Sequence, residues 1–338
     1  MVSCMASASD LAAAVRGWPD QVVEITYPAQ ADNSKQPALM YAAGSQEARP
    51  LLVGLHTWSG NYKQGGAQAT YARWCIDNGW HFIHPNFRGP NKSAEACGSD
   101  LVVSDIVDAV AHMVAQHNVD PTRVYLIGCS GGGHAALLMA ARAPQLWAGV
   151  SAWVPISDVN AWWEQCHDGK YQRYAKDIEM VLGSRPDQNE AARTDALKRS
   201  PITYLDQASG VNLDINAGVK DGTTGGSVPF TQSLLAFNKV VGPKHQIDPG
   251  LIDAFYATKS LPKGLQAARP DPLYGRRSVI FRKAVNNTRV TIFNGGHEII
   301  HVAGLNWLEH QRRGQPAVWE LKTVRQLETG DREGDSGK

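Results

Sequence analysis

The sequence predicts an α/β fold: a mostly parallel, eight-stranded sheet with helices on both faces and insertions after the sixth strand and before the last. Three observations predict it. Short apolar runs alternate with amphipathic stretches along the 338 residues, as a sheet with crossover helices requires. Central runs such as Val124-Tyr125-Leu126-Ile127 are continuously apolar, which suits strands covered on both faces. Between them, residues 101–117 put Val103, Ile106, Val107, Val110, Met113 and Val114 on one stripe, the spacing of a half-buried helix.

Taken in order, strands are expected at 21–27, 38–42, 50–55, 80–85, 123–128, 149–154, 212–217 and 289–293. The first two alternate more strictly and suit an antiparallel edge. Beyond 101–117, helices are expected at 130–142, rich in Ala and Leu after its glycines, and at 230–240, where Pro229 sits at the first turn. Residues 157–205 and 242–278 exceed the minimal repeat and are expected to be insertions over the sheet edge, the first lid-like. Neither carries enough apolar residues for a core of its own. A single domain is expected over 1–314, followed by a polar tail over 315–338, disordered from Thr329.

Composition excludes several classes. A hydrophobic share of 43% with 19% charged residues fits an ordered globular chain. The net charge of +1 gives no pull toward nucleic acid or anionic membrane. No apolar run approaches the roughly 20 residues that span a bilayer. Residues 1–10 have neither a basic nor an apolar signal region, so a soluble protein is expected, cytoplasmic or exported with its signal trimmed. The five cysteines form no C-x-x-C pair or metal-ligand spacing. Free buried thiols are expected, with a single Cys97–Cys166 bridge as the alternative. No metal or cofactor is expected.

Gly128-Cys129-Ser130-Gly131-Gly132 follows the most apolar strand and precedes a helix. A nucleophilic serine needs that setting: a sharp strand-to-helix turn with small neighbours, which lifts the hydroxyl clear of the backbone. It also needs a base and an acid to orient the base. Asp221 lies just past the seventh strand in Lys220-Asp221-Gly222, and His297 ends the last strand in Asn294-Gly295-Gly296-His297. The chain order is serine, acid, histidine. Asp158 after the sixth strand is a rival acid. Asp214 sits inside a strand and is expected to face the core or a partner. For the oxyanion hole the expected donors are the amides of Gly131 and Trp58, with Thr57 the alternative to Trp58. His56 in the same loop is expected to be structural.

These residues resemble the catalytic domain of the prolyl oligopeptidase family. The resemblance rests on Phe87-Arg88-Gly89, the helix at 101–117, Val119-Asp120-Pro121-Thr122-Arg123-Val124 and the serine turn. It continues through Asp221, Ser227-Val228-Pro229 and Gly295-Gly296-His297-Glu298, and covers roughly 45–310. It implies an α/β-hydrolase fold with Ser130, Asp221 and His297 as the triad, and Arg88 near the site as a salt-bridge partner. The serine turn departs from the family's usual Trp-Ser-Tyr-Gly-Gly, and Ala217-Gly218 replaces a His-Gly pair. The β-propeller that gates peptide access in the family is not expected in these 338 residues, which moves the expectation toward esters.

His297-Glu298-Ile299-Ile300-His301 also spells the H-E-x-x-H zinc motif. Residue 307 is Trp where the longer zinc pattern needs histidine, and the motif begins right after a Gly-Gly turn. His301 is therefore expected beside the site rather than on a metal. Trp58, Trp153 and Trp162 are the candidate substrate-binding residues, because flat aromatics stack on rings and sugars. The expected activity is hydrolysis of small or polymeric carboxylic esters, including aromatic, polyester and acetylated or feruloylated glycan esters. A small-peptide serine peptidase is the alternative, and a non-catalytic binding protein of this fold a remote one.

Overall fold

Nine strands form one sheet in the computed structural model, which describes residues 15–327. Cys4, the expected absence of a signal in residues 1–10 and the expected disorder from Thr329 lie outside the described residues. The strands are β1 (Val23–Ala29), β2 (Ser34–Tyr41), β3 (Arg49–Leu55), β4 (His81–Pro85), β5 (Val119–Cys129), β6 (Gly149–Trp153), β7 (Leu213–Gly218), β8 (Val279–Val285) and β9 (Thr288–Phe293). Their order across the sheet is β1-β2-β4-β3-β5-β6-β7-β9-β8. From β4 to β9 neighbours run parallel, while β1, β2 and β8 pair antiparallel at the two edges.

The ninth strand corrects the expected eight. β8 folds back on β9 through Asn286-Asn287, with Asn286 at φ 50°, a left-handed conformation that asparagine tolerates. Its apolar alternation is blurred by Arg282 and Lys283 and by a register shift between Val279 and Phe281. An edge strand with one wet face needs no continuous apolar run.

Between the strands lie α1 (Ala69–Asn78), α2 (Asp100–Gln116), α3 (Gly131–Arg142), α4 (Val159–Asp168), α5 (Gln172–Leu182), α6 (Glu190–Arg199), α7 (Thr231–Val241), α8 (Pro249–Thr258) and α9 (His301–Glu309). Helices α1 and α9 pack together, as do α2 and α3, and the two pairs cover the sheet. Ser99 starts α2 by accepting from the Val102 amide, with Asp100 in the first turn; both complement the exposed amides of a helix N-terminus. Ala-rich α3 is buried along almost its whole length, so its small side chains let it lie close on β5 and β6.

Helices α4 to α6 fill the first expected insertion and α8 lies in the second. Contrary to expectation, the first insertion has an apolar cluster of its own. Ile156, Val159, Trp162, Trp163, Ile178 and Val181 pack there, borrowing Trp58, Cys97 and Val228 from the body. The insertion supplies most of a core and the body completes it. The polar tail also docks as far as it is described: Trp319 stacks on Trp307 at 5.5 Å, and the Arg325 amide donates to Asn306 Oδ1 at 2.6 Å. The described cysteines, Cys75, Cys97, Cys129 and Cys166, are free and buried. Among the described residues no helix is long and apolar enough to cross a membrane.

Candidate active site

Ser130 is the residue at which β5 becomes α3. Its φ of 59° and ψ of −118° are rare for a residue with a side chain, a strain that a packed surround must hold. Here the surround is backbone. The Ser130 amide donates to Trp153 O at 2.9 Å, and Ser130 O accepts from the His134 amide at 2.9 Å. A Cβ on Gly131 would lie 2.4 Å from Trp58 N, so the serine turn and the loop after β3 touch, and only glycine fits.

That contact brings the Trp58 amide close to Gly131. The Thr57 amide is already committed to Gln64 Oε1 at 2.9 Å. The Trp58 and Gly131 amides have no protein acceptor among the described residues. His56 lies beneath the loop, stacked on Phe87 at 3.8 Å with its two ring nitrogens against Thr57 O and Asn86 O. Burial pulls its pKa down to about 4, so the ring is neutral at pH 7 and donates to only one of the two carbonyls.

Asp221 follows β7 and is fully buried. Its Oδ1 accepts from the Gly222 amide at 2.9 Å and the Val228 amide at 3.0 Å. Its Oδ2 faces His297 Nδ1 at 2.6 Å. The loop carrying His297 is pinned to the acid's loop, because the His297 amide donates to Gly225 O at 2.7 Å. A Cβ on Gly226 would fall 2.1 Å from Asp221 Oδ1 and 2.4 Å from His297 Cβ. Sequence reasoning did not single out Gly226; the Gly225-Gly226 pair so close after an acid was the available signal. The Gly222 carbonyl accepts from Gln165 Nε2 of α4 at 3.2 Å and Tyr256 Oη of α8 at 3.0 Å. Both insertions therefore brace the acid loop, which no local sequence pattern announces.

Ser130 and His297 line one open cavity of about 710 Å³, together with Trp58, Gln64, Arg173 and His301. A second cavity of about 800 Å³ at the β8–β9 edge is lined by Arg269, Arg282 and Trp319 and holds no candidate nucleophile. Burial and the Asp221 carboxylate push the thiol of Cys129, next to Ser130, well above its ordinary range, so it stays protonated.

Two expected substrate-binding residues need correction. Trp153 is fully buried, with its indole N–H on Ser151 Oγ at 2.8 Å and its ring against Tyr274 and Phe293. Trp162 is buried against Trp58, with its N–H on Ser227 O at 2.8 Å. Neither lines the cavity; the strand-end Trp153 and the α4 residue Trp162 were both taken up by packing. Trp58 does line it. Asp158 caps α4 through the Ala161 amide, and Asp214 pairs with Arg289 at 2.7 Å, so neither meets His297. Arg88 binds Asp105 through Nε and Nη2 at 2.7 and 2.9 Å, and Asp32 at 2.6 Å.

The H-E-x-x-H residues part company. His297 turns to Asp221, Glu298 pairs with Arg277 at 2.8 Å, and His301 Nε2 donates to Ala67 O at 2.9 Å. Helix α9 begins only at His301, so the two histidines do not project from one helical turn. Among the described residues no group of three His, Cys, Asp or Glu side chains could hold a metal ion.

A mostly parallel sheet with a serine at a strained strand-to-helix turn, and with acid and histidine on later strand ends, defines an α/β-hydrolase fold. The family model for the prolyl oligopeptidase family matches residues 70–243. The chain belongs to that family of serine hydrolases. The matched stretch includes Ser130 and Asp221 and ends before His297. Among solved structures, acylaminoacyl peptidase from Pyrococcus horikoshii is 16% identical, with a TM-score of 0.51 over 64% of this chain and 34% of that one. Puromycin hydrolase is 17% identical, with a TM-score of 0.52 over 66% and 33%. The chain thus spans about a third of the length of either structure, and at such identity the likeness is one of fold. No curated protein sequence matches the chain.

Proposed function

We propose that this chain hydrolyses carboxylic acid derivatives through an acyl-enzyme on Ser130. The observation that carries the reading is the His297 Nδ1 to Asp221 Oδ2 contact of 2.6 Å at the cavity that Ser130 lines. Asp221 accepts a hydrogen bond from the Nδ1–H, which fixes the tautomer that leaves Nε2 to act as the base. His297 takes the Ser130 hydroxyl proton as Oγ attacks the substrate carbonyl, and Asp221 stabilises the imidazolium that forms. The oxyanion is received by the Trp58 and Gly131 amides, which lack other acceptors among the described residues. The leaving group departs with the proton from His297, and water then releases the acyl group by the same route.

Carboxylic esters are the first substrates to test, because an ester is intrinsically easier to cleave than the matching amide and reports on both. The second reading, cleavage of short peptides or aminoacyl amides, is favoured by the fold shared with an acylaminoacyl peptidase and a puromycin hydrolase. A panel of p-nitrophenyl esters and aminoacyl anilides separates the two. Ser130→Ala is expected to lower kcat by about 10⁴-fold or more and to abolish fluorophosphonate labelling. Full activity in that variant rejects the mechanism.

A further inference from the structure

We propose that Arg173 selects substrates carrying a carboxylate, so that anionic esters or amides are hydrolysed in preference to neutral ones; this rests on the acyl-transfer reading of Ser130. The charges around the cavity carry the argument. Besides the imidazoles, its charged side chains are Glu298 and Arg173. Glu298 is neutralised by Arg277 at 2.8 Å and accepts from the Gly296 amide at 3.1 Å. Arg173 has no carboxylate partner among the described residues; its Nη2 donates to Tyr174 Oη at 2.7 Å. The cavity that Ser130 lines therefore carries one positive charge with no carboxylate partner among the described residues.

That charge is solvent-exposed, and aromatic contacts steady it. The Arg173 guanidinium lies 4.6 Å from the Tyr174 ring centroid, and Tyr174 lies 5.1 Å from Trp162. Trp162 meets Trp58 edge-on at 4.7 Å, and Trp58 is the residue whose amide faces Gly131. A chain of aromatic contacts, one edge-on and one tilted, thus links Trp58 to the guanidinium. A planar cation stacked on an aromatic face loses little further freedom on binding an anion. With one N–H on Tyr174, it keeps donors enough for a two-pronged carboxylate contact. A doubly charged phosphate would call for a second uncompensated cation, and the cavity has none. Trp162, expected to touch substrate, acts instead by seating the residue that does.

The carboxylate could sit on the acyl part or on the leaving group, and matched pairs distinguish the two. One pair is p-nitrophenyl hydrogen glutarate against its methyl-capped ester. The other is para-acetoxybenzoate against its methyl ester. At low salt the wild-type enzyme is expected to favour the anionic member of at least one pair by about tenfold or more in kcat/KM. Arg173→Ala should bring that ratio close to one, Arg173→Lys should restore part of it, and Lys176→Ala on the same helix should keep it. The proposal is overturned by equal turnover of both members of both pairs. Discrimination that survives Arg173→Ala, or that falls equally in Lys176→Ala, overturns it too. Turnover of the neutral esters by Ser130→Ala at the wild-type rate would overturn the acyl-transfer reading and the proposal with it, a result distinct from lost discrimination.

Discussion

At Ser130 the backbone sits at φ 59° and ψ −118°, and strain of this kind costs on the order of 1–3 kcal/mol. Glycines around it let other backbone approach and hold it there. The same logic applies at Gly226, which lets the acid and histidine loops close on each other. Gly226→Ala would drive a methyl group into both Asp221 and His297. A displacement of about 1 Å costs roughly 100-fold in rate, so kcat/KM on any ester that the wild type cleaves should fall by about that factor. Near-wild-type kcat/KM with an unshifted unfolding temperature would show that the close approach is not required. Arg173 belongs to this scale as well: its guanidinium rests on the adjacent Tyr174, whose ring is set in turn by contact with the distant Trp162.

At the scale of elements, the strand-to-helix turns position the site and the insertions steady it. Helices α4 and α8 each send one side chain to the Gly222 carbonyl, beside Asp221. Tyr256→Phe removes one donor and leaves Gln165, so a loss of about 0.5–1.5 kcal/mol in stability is expected. Tyr256→Phe with Gln165→Ala leaves the carbonyl without either partner, and the double variant should lose more kcat than the product of the single losses. Strictly multiplicative losses would mean that the two braces act independently. Most elements were legible in the sequence: β5, α2 and α3 lie within a few residues of their expected bounds, because apolar runs and stripes fix buried strands and amphipathic helices. The edge strand β8 was not, since one wet face and two basic residues erase the pattern. The insertion's own cluster was hidden for another reason: three of its members come from distant parts of the chain.

Across the whole molecule, three buried histidines make stability depend on pH. Burial lowers His56 and His134 to about 4, and burial with the neighbouring His56 lowers His84 to about 3, from an ordinary 6.5. The folded chain keeps these rings neutral where the unfolded chain would protonate them. Their contribution is therefore full above pH 6.5 and is lost progressively as pH falls toward 4 and 3. Each accounts for on the order of a few kcal/mol. The urea midpoint should drop between neutral pH and the acid end of that window. His134→Gln, which can still donate to Arg199 O, should show a shallower drop. A flat midpoint in the wild type would contradict neutral burial.

The sequence by itself determined the class of the sheet, the serine turn with its neighbouring glycines, and the order of serine, acid and histidine. These follow from periodicity and from turn chemistry, which act over a few residues. The tertiary structure decided what depends on distant residues meeting. It put Asp221 rather than Asp158 against His297, broke the H-E-x-x-H run into three separate partnerships, and drew Trp153 and Trp162 into packing. It also set Arg173 at the cavity. Partner choice among similar side chains is a matter of geometry across the fold, and spacing along one chain does not encode it.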